Sequence, residues 1–338
     1  MKTPAEIKSI LIRLPNWLGD MIMSSAFIRA LKQQYPDAVV DIIVKKELAA
    51  LAAFFQGISQ VYEFSKTGYP GISGIKKFGK MIAGNRQYDL FFCLPDSFSS
   101  ALMGYYTKST IRAGYKKEGR SFLLTKSWKK PENLHRVEEY TNLLSLFTGK
   151  ENICAEVKLK GTGSSLSLPY GKNLVFNINS EAPSRRLPLE KAREITSIIL
   201  KQTDYNVVMI GSYKETGYVN ELITKINNQE RVCNIAGKTN LTELAELLNN
   251  VDLMISTDSG PAHLANSLGT PLIVFFGAGH EKNTGPYNKE KTIILKADDI
   301  ECAPCYSNFC KYDSPLCLLK LNSQALPGII SKLLKYQF

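Results

Sequence analysis

The sequence predicts an α/β protein of two domains, each built around a parallel sheet. Short apolar runs alternate with amphipathic stretches of helix length, which is the pattern of βαβ units. The alternation stops at a Gly-Thr-Gly-Ser-Ser stretch that begins at residue 161, and then it starts again. A chain of 338 residues is also long enough for two domains. We therefore expect a first domain, a linker, a second domain and a C-terminal helix, at residues 1–160, 161–171, 172–322 and 323–338.

Each predicted element follows from the period of its apolar residues. In the first domain, strands are expected at 9–14, 39–44, 60–64 and 88–94, and helices at 20–35, 75–83, 98–106 and 137–147. In the second domain, strands are expected at 173–178, 206–210, 232–235, 253–256 and 272–276, and helices at 189–202, 214–227, 241–249 and 262–268. A last amphipathic helix fits 324–335, and we expect its apolar face to pack against the first domain.

The composition is that of a soluble globular protein. Apolar residues make up 44% and charged residues 22% of the chain, which excludes collagen-like, coiled-coil and disordered proteins. No apolar run approaches the ~20 residues that a membrane span needs, and the first residues lack the apolar core of a signal peptide. We therefore expect a cytoplasmic protein.

Positive charge is concentrated in the first half of the chain. Residues 1–170 contain 24 Lys and Arg against 14 Asp and Glu, whereas residues 171–338 contain 18 against 17. The segment 108–130 alone carries eight basic residues and one acidic residue. This asymmetry favours an anionic partner, such as a phosphorylated ligand, a nucleic acid or a membrane surface, but a solvated basic face explains the charge equally well.

The first predicted strand runs into a sharp turn, Asn16-Trp17-Leu18-Gly19-Asp20, that leads into a helix. Asp20 has two interpretations there. It is either a helix cap, which is common for Asp, or a carboxylate placed at the carboxyl end of a sheet to act as a base. From the spacing alone, the cap is favoured.

A second polar turn, Thr257-Asp258-Ser259-Gly260-Pro261-Ala262-His263, follows an apolar strand and opens a helix. A helix N-terminus offers unpaired N–H groups and positive potential, so it is suited to a diphosphate. The alternative is an ordinary capped helix with His263 in the interior. The number of polar groups at one strand end favours a ligand site.

Two further turns of the second domain carry candidate side chains. Arg185 and Arg186 precede a helix, and Arg binds phosphate in a bidentate manner, although surface pairs of Arg are common. Glu215 follows a strand, where it either binds ribose hydroxyls or complements the dipole of its own helix.

Other patterns do not complete a known site. The Gly-Lys-Thr run at 237–239 lacks the first glycine of a Walker motif, and the Gly-Ala-Gly run at 277–279 lacks the last glycine of a dinucleotide fingerprint. The three histidines have no metal-ligand spacing. Four cysteines, at 302, 305, 310 and 317, include one close pair only, so reduced thiols are favoured over a zinc site.

Taken together, the motifs resemble the bacterial ADP-heptose–lipopolysaccharide heptosyltransferase family, and most closely its heptosyltransferase II branch. The resemblance runs over nearly the whole chain, and the order and spacing of its motifs are specific. The matching segments are Asn16-Trp17-Leu18-Gly19-Asp20-Met21, Leu94-Pro95-Asp96-Ser97-Phe98, Arg112-Ala113-Gly114-Tyr115, His135-Arg136-Val137-Glu138, Arg185-Arg186-Leu187-Pro188, the turn from Thr257 to His263, and the cysteine spacing from Cys302 to Cys317.

This resemblance implies a GT-B fold, in which two Rossmann-like domains face each other across a cleft and no metal or cofactor is required. The donor, ADP-heptose, is expected on the second domain. The acceptor, an anionic lipid-linked inner core that contains Kdo, is expected on the first domain, in agreement with its positive charge. The candidate acceptor contacts are Arg112, Lys116, Arg120 and Arg136.

The resemblance also implies an inverting transfer of heptose to the lipopolysaccharide inner core. Asp20 would take the proton from the acceptor hydroxyl as the catalytic base. Arg185 and the helix N-terminus would hold the diphosphate. The candidate donor-binding residues are Arg185, Glu215, Asp258, Ser259, Gly260 and His263.

Other functions remain open from the sequence. A GT-B enzyme that uses another nucleotide sugar is the alternative, because Arg185 and Leu187 stand where the family usually has Lys and Trp. A nucleic-acid binder would use segment 108–130 and nearby aromatic residues, but it leaves the Asp258 turn without a role, so no nucleic-acid partner is expected. The basic surface and the segment 329–338 indicate peripheral contact with the inner face of the cytoplasmic membrane.

Overall fold

The computed structural model describes residues 7–117, 119–151, 153, 156–163, 168–227 and 229–335. The chain divides into two compact units between Lys160 and Gly161. Residues 164–167 of the predicted linker lie outside the described residues. At the start of that segment, Thr162 donates hydrogen bonds from its backbone N and its Oγ1 to the buried carboxylate of Glu246, at 2.6 and 2.5 Å.

The first unit is a six-stranded parallel sheet with helices between the strands. Its strands are β1 Ser9–Arg13, β2 Val39–Lys45, β3 Gln60–Phe64, β4 Leu90–Cys93, β5 Ile111–Lys116 and β6 Lys126–Lys129. Its helices are α1 Leu18–Met23, α2 Ser25–Gln34, α3 Gly71–Asn85, α4 Phe98–Tyr106 and α5 Arg136–Thr148. The strand order is β3-β2-β1-β4-β5-β6, and all neighbouring strands pair in parallel.

The second unit repeats this topology. Its strands are β7 Asn173–Asn177, β8 Asn206–Met209, β9 Val232–Asn234, β10 Leu253–Thr257, β11 Leu272–Phe275 and β12 Thr292–Leu295. Its helices are α6 Leu189–Gln202, α7 Thr216–Thr224, α8 Leu241–Asn250, α9 Gly260–Leu268, α10 Glu281–Thr284, α11 Leu316–Leu319 and α12 Leu326–Lys335. The order β12-β11-β10-β7-β8-β9 is the same Rossmann order as in the first unit, read from the other edge.

Strand order determines where ligands of such sheets bind. In each unit, the chain turns outward in opposite directions from two neighbouring central strands, which are β1 and β4 in the first unit and β7 and β10 in the second. The loops after these strands diverge and leave a crevice at the carboxyl edge of the sheet. Asp20 follows β1 and Asp258 follows β10, so the two polar turns found in the sequence lie at these crevices.

Some elements differ from the prediction. The sequence pattern does not predict β5, β6 or β12. The helix expected at 20–35 is divided at Ser24, whose hydroxyl donates to the carbonyl of Met21 at 2.6 Å, a local bond that competes with the helix ladder. Within the described ranges, no helix has the length and apolarity that crossing a bilayer requires.

The C-terminal helix packs within the second unit, which corrects the expectation that it packs against the first domain. The buried side chains of α12, Leu326, Ile330 and Leu333, belong to the same apolar core as the central strands β7, β8 and β10. The segment before the helix is held by Lys191, whose Nζ donates to the carbonyl of Leu321 at 3.1 Å. The apolar face of α12 is therefore occupied inside its own unit.

We predict that Ile330→Ala lowers the free energy of unfolding of the second unit by about 2–5 kcal/mol, because it leaves a cavity in this core. Urea unfolding followed by circular dichroism measures the change. Ser331→Ala, on the exposed side of the same helix, is the control and should shift stability by less than about 0.5 kcal/mol. Equal midpoints for both variants would contradict the packing described here.

Candidate active site

The turn after β1 is shaped by a buried arginine. Arg13, the last residue of β1, is 2% exposed, and its Nη1 donates to the carbonyls of Leu14 and Ile43 at 2.7 and 3.2 Å. Its other terminal nitrogen donates to Oδ1 of Asn16. Burial lowers the pKa of Arg13 to about 10, so the guanidinium stays charged at neutral pH. Arg13 therefore fixes the turn that leads to Asp20.

Asp20 lies in the first turn of α1, with a quarter of its side chain exposed. The N-cap of this helix is Trp17, so Asp20 is not the capping residue. Nε of Arg136, at the start of α5, lies 3.4 Å from Oδ1 of Asp20. Burial raises the pKa of Asp20, while the charge of Arg136 opposes that rise. A partly exposed carboxylate with a raised pKa is suited to accept a proton from a ligand.

A chain of ion pairs holds Arg136 beside Asp20. Nη1 of Arg136 and Nζ of Lys130 both bind Oε2 of Glu139, at 2.6 and 2.9 Å. Lys130 also binds Oδ2 of Asp96 at 2.8 Å. Asp96 follows β4, so both strands at the crevice supply a carboxylate to this cluster. The sequence analysis did not select Lys130 or Glu139, since neither stands out from the surrounding charged residues.

The four predicted acceptor contacts have different environments. Arg136 lies beside Asp20, and Lys116 is exposed at the carboxyl end of β5. Arg120, in contrast, is fully buried and donates to three backbone carbonyls, which corrects its expected role as an acceptor contact. Arg112 also donates to two backbone carbonyls, those of Ser109 before β5 and Leu123 after it, so its guanidinium is largely committed to holding these segments.

In the second unit, Asp258 and Arg185 form an ion pair at the carboxyl end of β10. Asp258 is 5% exposed, and Nη1 of Arg185 lies 3.2 Å from its Oδ2. Burial raises the pKa of Asp258 to about 6, and the charge of Arg185 acts against this rise. Gly279 adjoins the same oxygen so closely that a Cβ at this position would overlap it. Oδ2 of Asp258 makes no hydrogen bond to any described residue, which leaves it an acceptor for a ligand hydroxyl.

The N-terminus of α9 lies next to this pair. Ser259 occupies its N-cap position in an extended conformation, but its side chain does not cap the helix. The hydroxyl of Ser259 donates to the carbonyl of Thr257 at 3.1 Å and accepts from Nδ2 of Asn177 at 2.9 Å. Because no side chain caps α9, the backbone N–H of Gly260 keeps its capacity to bind an anion.

Two asparagines, one at the end of β7 and one just after it, organise this turn, and neither was predicted from the sequence. Asn177 joins Ser259 to the end of β7, and the carbonyl of Asn179 accepts a bond from Oγ1 of Thr257 at 2.7 Å. Oδ1 of Asn179 is buried without a hydrogen bond from a described residue. The sequence signal was the run Asn-Ile-Asn-Ser, which begins at the last residue of a strand that is buried along its whole length.

The cysteine-containing segment supports the turn that carries Arg185. Oγ and backbone N of Ser184 donate to the carbonyls of Ser307 and Asn308, at 2.5 and 3.1 Å. Cys317 packs so tightly against Gly277 that a Cβ on Gly277 would overlap its Sγ. Within the part of the chain that the structure describes, no three His, Cys, Asp or Glu side chains are grouped so that they could hold a metal ion.

The last two predicted donor contacts have local structural roles. Oε2 of Glu215 accepts a bond from the backbone N of Ser212 at 2.7 Å, which closes a capping box before α7. His263 is 6% exposed within α9. Glu215 therefore lies at the start of its helix and His263 in the interior, as the helix-dipole and interior alternatives for these residues predict.

The comparisons with known proteins agree with this architecture. The profile of glycosyltransferase family 9 (heptosyltransferase) matches residues 75–315, which is more than half of the chain. The chain is 27% identical to lipooligosaccharide heptosyltransferase 2 of Haemophilus influenzae over 307 residues, or 85% of this chain and 88% of that protein.

Solved structures of heptosyltransferases have the same fold. The structure of E. coli ADP-heptose LPS heptosyltransferase II matches with a TM-score of 0.82 at 23% identity, covering 97% of this chain and 98% of that one. E. coli heptosyltransferase WaaC with ADP matches with a TM-score of 0.77 at 17% identity, covering 96% and 99%. The predicted GT-B-like fold and the family resemblance are confirmed: this chain belongs to glycosyltransferase family 9, the heptosyltransferase family.

Proposed function

We propose that this protein is an inverting glycosyltransferase that moves heptose from ADP-heptose to the Kdo-containing inner core of lipid A. The observation that carries the proposal is the placement of two complementary groups at the crevices of the two sheets. Asp20, a carboxylate with a raised pKa, lies at one crevice, and an anion-binding helix N-terminus with Arg185 lies at the other. A base and a leaving-group site are what a single displacement at a sugar carbon needs.

The second unit binds the donor in this proposal. Arg185 and the N–H groups at Ser259 and Gly260 hold the diphosphate and stabilise the charge that develops on ADP as it leaves. These groups supply positive potential themselves, so we propose that the transfer is metal-independent and uses no cofactor. Oδ2 of Asp258 accepts a hydroxyl of the donor sugar.

Glu215 and His263 complete the proposed donor contacts. Glu215 follows β8, and its carboxylate binds the ribose while one oxygen continues to cap α7. His263 lies in the first turns of α9, the helix that holds the diphosphate.

The first unit binds the acceptor. Asp20 removes the proton from the acceptor hydroxyl, whose oxygen forms a bond to C1 of heptose while the bond from C1 to the diphosphate oxygen breaks. The electron pair of that bond leaves with ADP, and the configuration at C1 inverts. Arg136 and Lys116 offer positive charge to the phosphates and carboxylates of the acceptor. Such an acceptor places the enzyme at the cytoplasmic face of the inner membrane.

One observation favours testing a nucleotide sugar other than ADP-heptose as the donor. The family usually has Lys where this chain has Arg185, which contacts Asp258 directly and therefore bears on the sugar pocket. Leu187 has no such effect, because its side chain is fully buried in the apolar core. A panel of nucleotide sugars in a thermal-shift assay separates ADP-heptose from other donors.

Two of the aromatic side chains that a nucleic-acid binder would use near segment 108–130 are not open for stacking. Tyr115, one of the aromatic residues that would stack on bases, is 3% exposed and donates its hydroxyl proton to the carbonyl of Glu139. Trp128, another of them, is partly buried and its ring meets Phe147 edge-on. Base stacking needs open ring faces, which these two side chains do not offer.

We predict that Asp20→Asn lowers kcat for ADP release by roughly 100- to 10,000-fold, because the amide cannot accept the proton. The assay uses ADP-heptose with Kdo-containing lipid A and is repeated with EDTA, which should leave wild-type turnover intact. The affinity for ADP should not change. Asp37→Asn, an exposed carboxylate at the surface of the same unit, is the control. Full turnover in Asp20→Asn would rule out its role as the base, and inhibition by EDTA would rule out metal independence.

We predict that Arg136→Met moves the acidic limb of the kcat/KM profile to higher pH. The base works only when deprotonated, so activity falls as the pH drops through the pKa of Asp20. Burial raises that pKa and Arg136 lowers it, so removal of the guanidinium raises it further. Arg29→Met, which breaks an ion pair with Glu156 instead, should leave the limb in place. A shift of the acidic limb toward lower pH in Arg136→Met would contradict the inference that the charge of Arg136 lowers the pKa of Asp20.

We predict that Arg185→Ala weakens ADP binding roughly 10- to 100-fold, the effect of losing a charge-assisted hydrogen bond to phosphate. Isothermal titration calorimetry with ADP measures the change. Arg193→Ala removes an exposed charge from α6 in the same unit and should bind ADP as the wild type does. Equal affinities in the two variants would place the diphosphate elsewhere.

A further inference from the structure

Three large aromatic side chains are exposed along the carboxyl edge of the first sheet. Trp17 follows β1 and is 60% exposed, Phe98 follows β4 and is 36% exposed, and Phe122 follows β5 and is 74% exposed. The strands β1, β4 and β5 are neighbours, so the three side chains share one edge with Asp20. The rings of Phe98 and Phe122 are 6.1 Å apart. We call Trp17, Phe98 and Phe122 the aromatic ridge.

The three exposed aromatic side chains lie together at one edge of the sheet, which distinguishes them from isolated exposed residues. A single exposed apolar side chain is ordinary on a protein surface, but several at one edge mark a surface that another phase or molecule covers. Phe122 lies in a short helical turn that is anchored by its neighbours, the buried side chains of Arg120 and Leu123. The ridge is therefore presented by a rigid turn.

The charge beside the ridge is positive. Lys116 is the last residue of β5, Lys117 follows it, and Lys129 is the last residue of β6. All three side chains are exposed. The carboxylates of this region are engaged by lysines: Asp96 and Glu139 bind Lys130 at 2.8 and 2.9 Å. Lys117 lies 3.8 Å from Asp96 and Lys129 lies 3.8 Å from the exposed Glu132, so basic side chains still outnumber acidic ones. Exposed lysines beside exposed aromatic rings are suited to bind a partner whose surface is anionic and whose interior is apolar.

We propose that the aromatic ridge and its lysines dock this protein on an anionic lipid bilayer. Aromatic side chains enter the boundary between headgroups and acyl chains, and lysines add attraction to anionic headgroups. The inference rests on the proposed function in one respect, since a lipid-linked acceptor would then meet the protein at the edge that carries Asp20. It replaces the membrane contact expected from 329–338, because the apolar face of α12 packs inside the second unit.

Vesicle co-sedimentation of the full chain, without donor or acceptor, tests the docking directly. Wild type should bind phosphatidylglycerol-containing vesicles better than pure phosphatidylcholine vesicles, and high salt should weaken binding. Phe122→Ser should lower the partition coefficient roughly tenfold, and Phe98→Ser with Phe122→Ser should lower it further. Phe309→Ser is the matched control, because Phe309 is 72% exposed in the second unit. Trp17 stays unchanged because it precedes Asp20.

Failure of wild type to bind anionic vesicles, or equal binding by wild type and Phe122→Ser, would overturn the proposal. A change in self-association alone in Phe122→Ser would also overturn it, since the ridge would then contact a second copy. Phe122→Ser by itself keeps the test decisive, because its side chain is mostly exposed and its loss spares the core.

A second measurement separates membrane docking from acceptor contact and from the proposed reaction. Phe122→Ser should retain heptose transfer to a deacylated, water-soluble acceptor and lose it with the acceptor embedded in vesicles. An equal loss with both acceptors would mean that the ridge contacts acceptor sugars, which overturns the docking. Ridge-dependent vesicle binding without turnover of any acceptor would support the docking while removing the proposed function.

Discussion

When the strand order of a parallel sheet reverses at its centre, two neighbouring strands send the chain to opposite faces, and the groups at their carboxyl ends border an open crevice. Both units of this protein are built in that way, around β1 with β4 and around β7 with β10. These strands are buried on both faces and read as apolar runs, so the first polar residues after them fall at the crevice. Asp20, Asp96, Asn177 and Asp258 all owe their positions to this constraint.

Buried charges then shape the two crevices in different ways. Arg13 and Arg120 are buried among backbone carbonyls, where each guanidinium donates to more than one group and ties them together. Their role is to hold turns in shape. Burial raises the pKa of Asp258, and its Oδ2, although paired with Arg185, accepts no hydrogen bond from a described residue. A buried charge that bonds several backbone carbonyls supports structure, whereas a carboxylate oxygen that lacks a hydrogen bond at a crevice is available to a ligand.

Much of the fold followed from local patterns, and the failures have physical causes. Apolar runs predict the central strands because those strands are buried on both faces. β5 and β6 escaped detection because Arg112, Lys116 and Lys126 interrupt their apolar pattern. The turn at Asp258 could be predicted from its polar residues, but the burial of Arg120 depends on loops that only the folded chain brings together. Likewise, the spacing of apolar residues in α12 predicts an apolar face, but it does not predict which elements that face packs against.

The cysteine-containing segment adds a constraint of another kind. Cys317 fills the space beside Gly277. Gly277 lies on the loop after β11, and Gly279 of the same loop adjoins Asp258. A larger side chain at either position would push on the other, and through the loop on the pocket carboxylate. A side chain at position 277 therefore fits only where position 317 carries a smaller one, so the shape of the crevice limits which residues a segment outside it can carry.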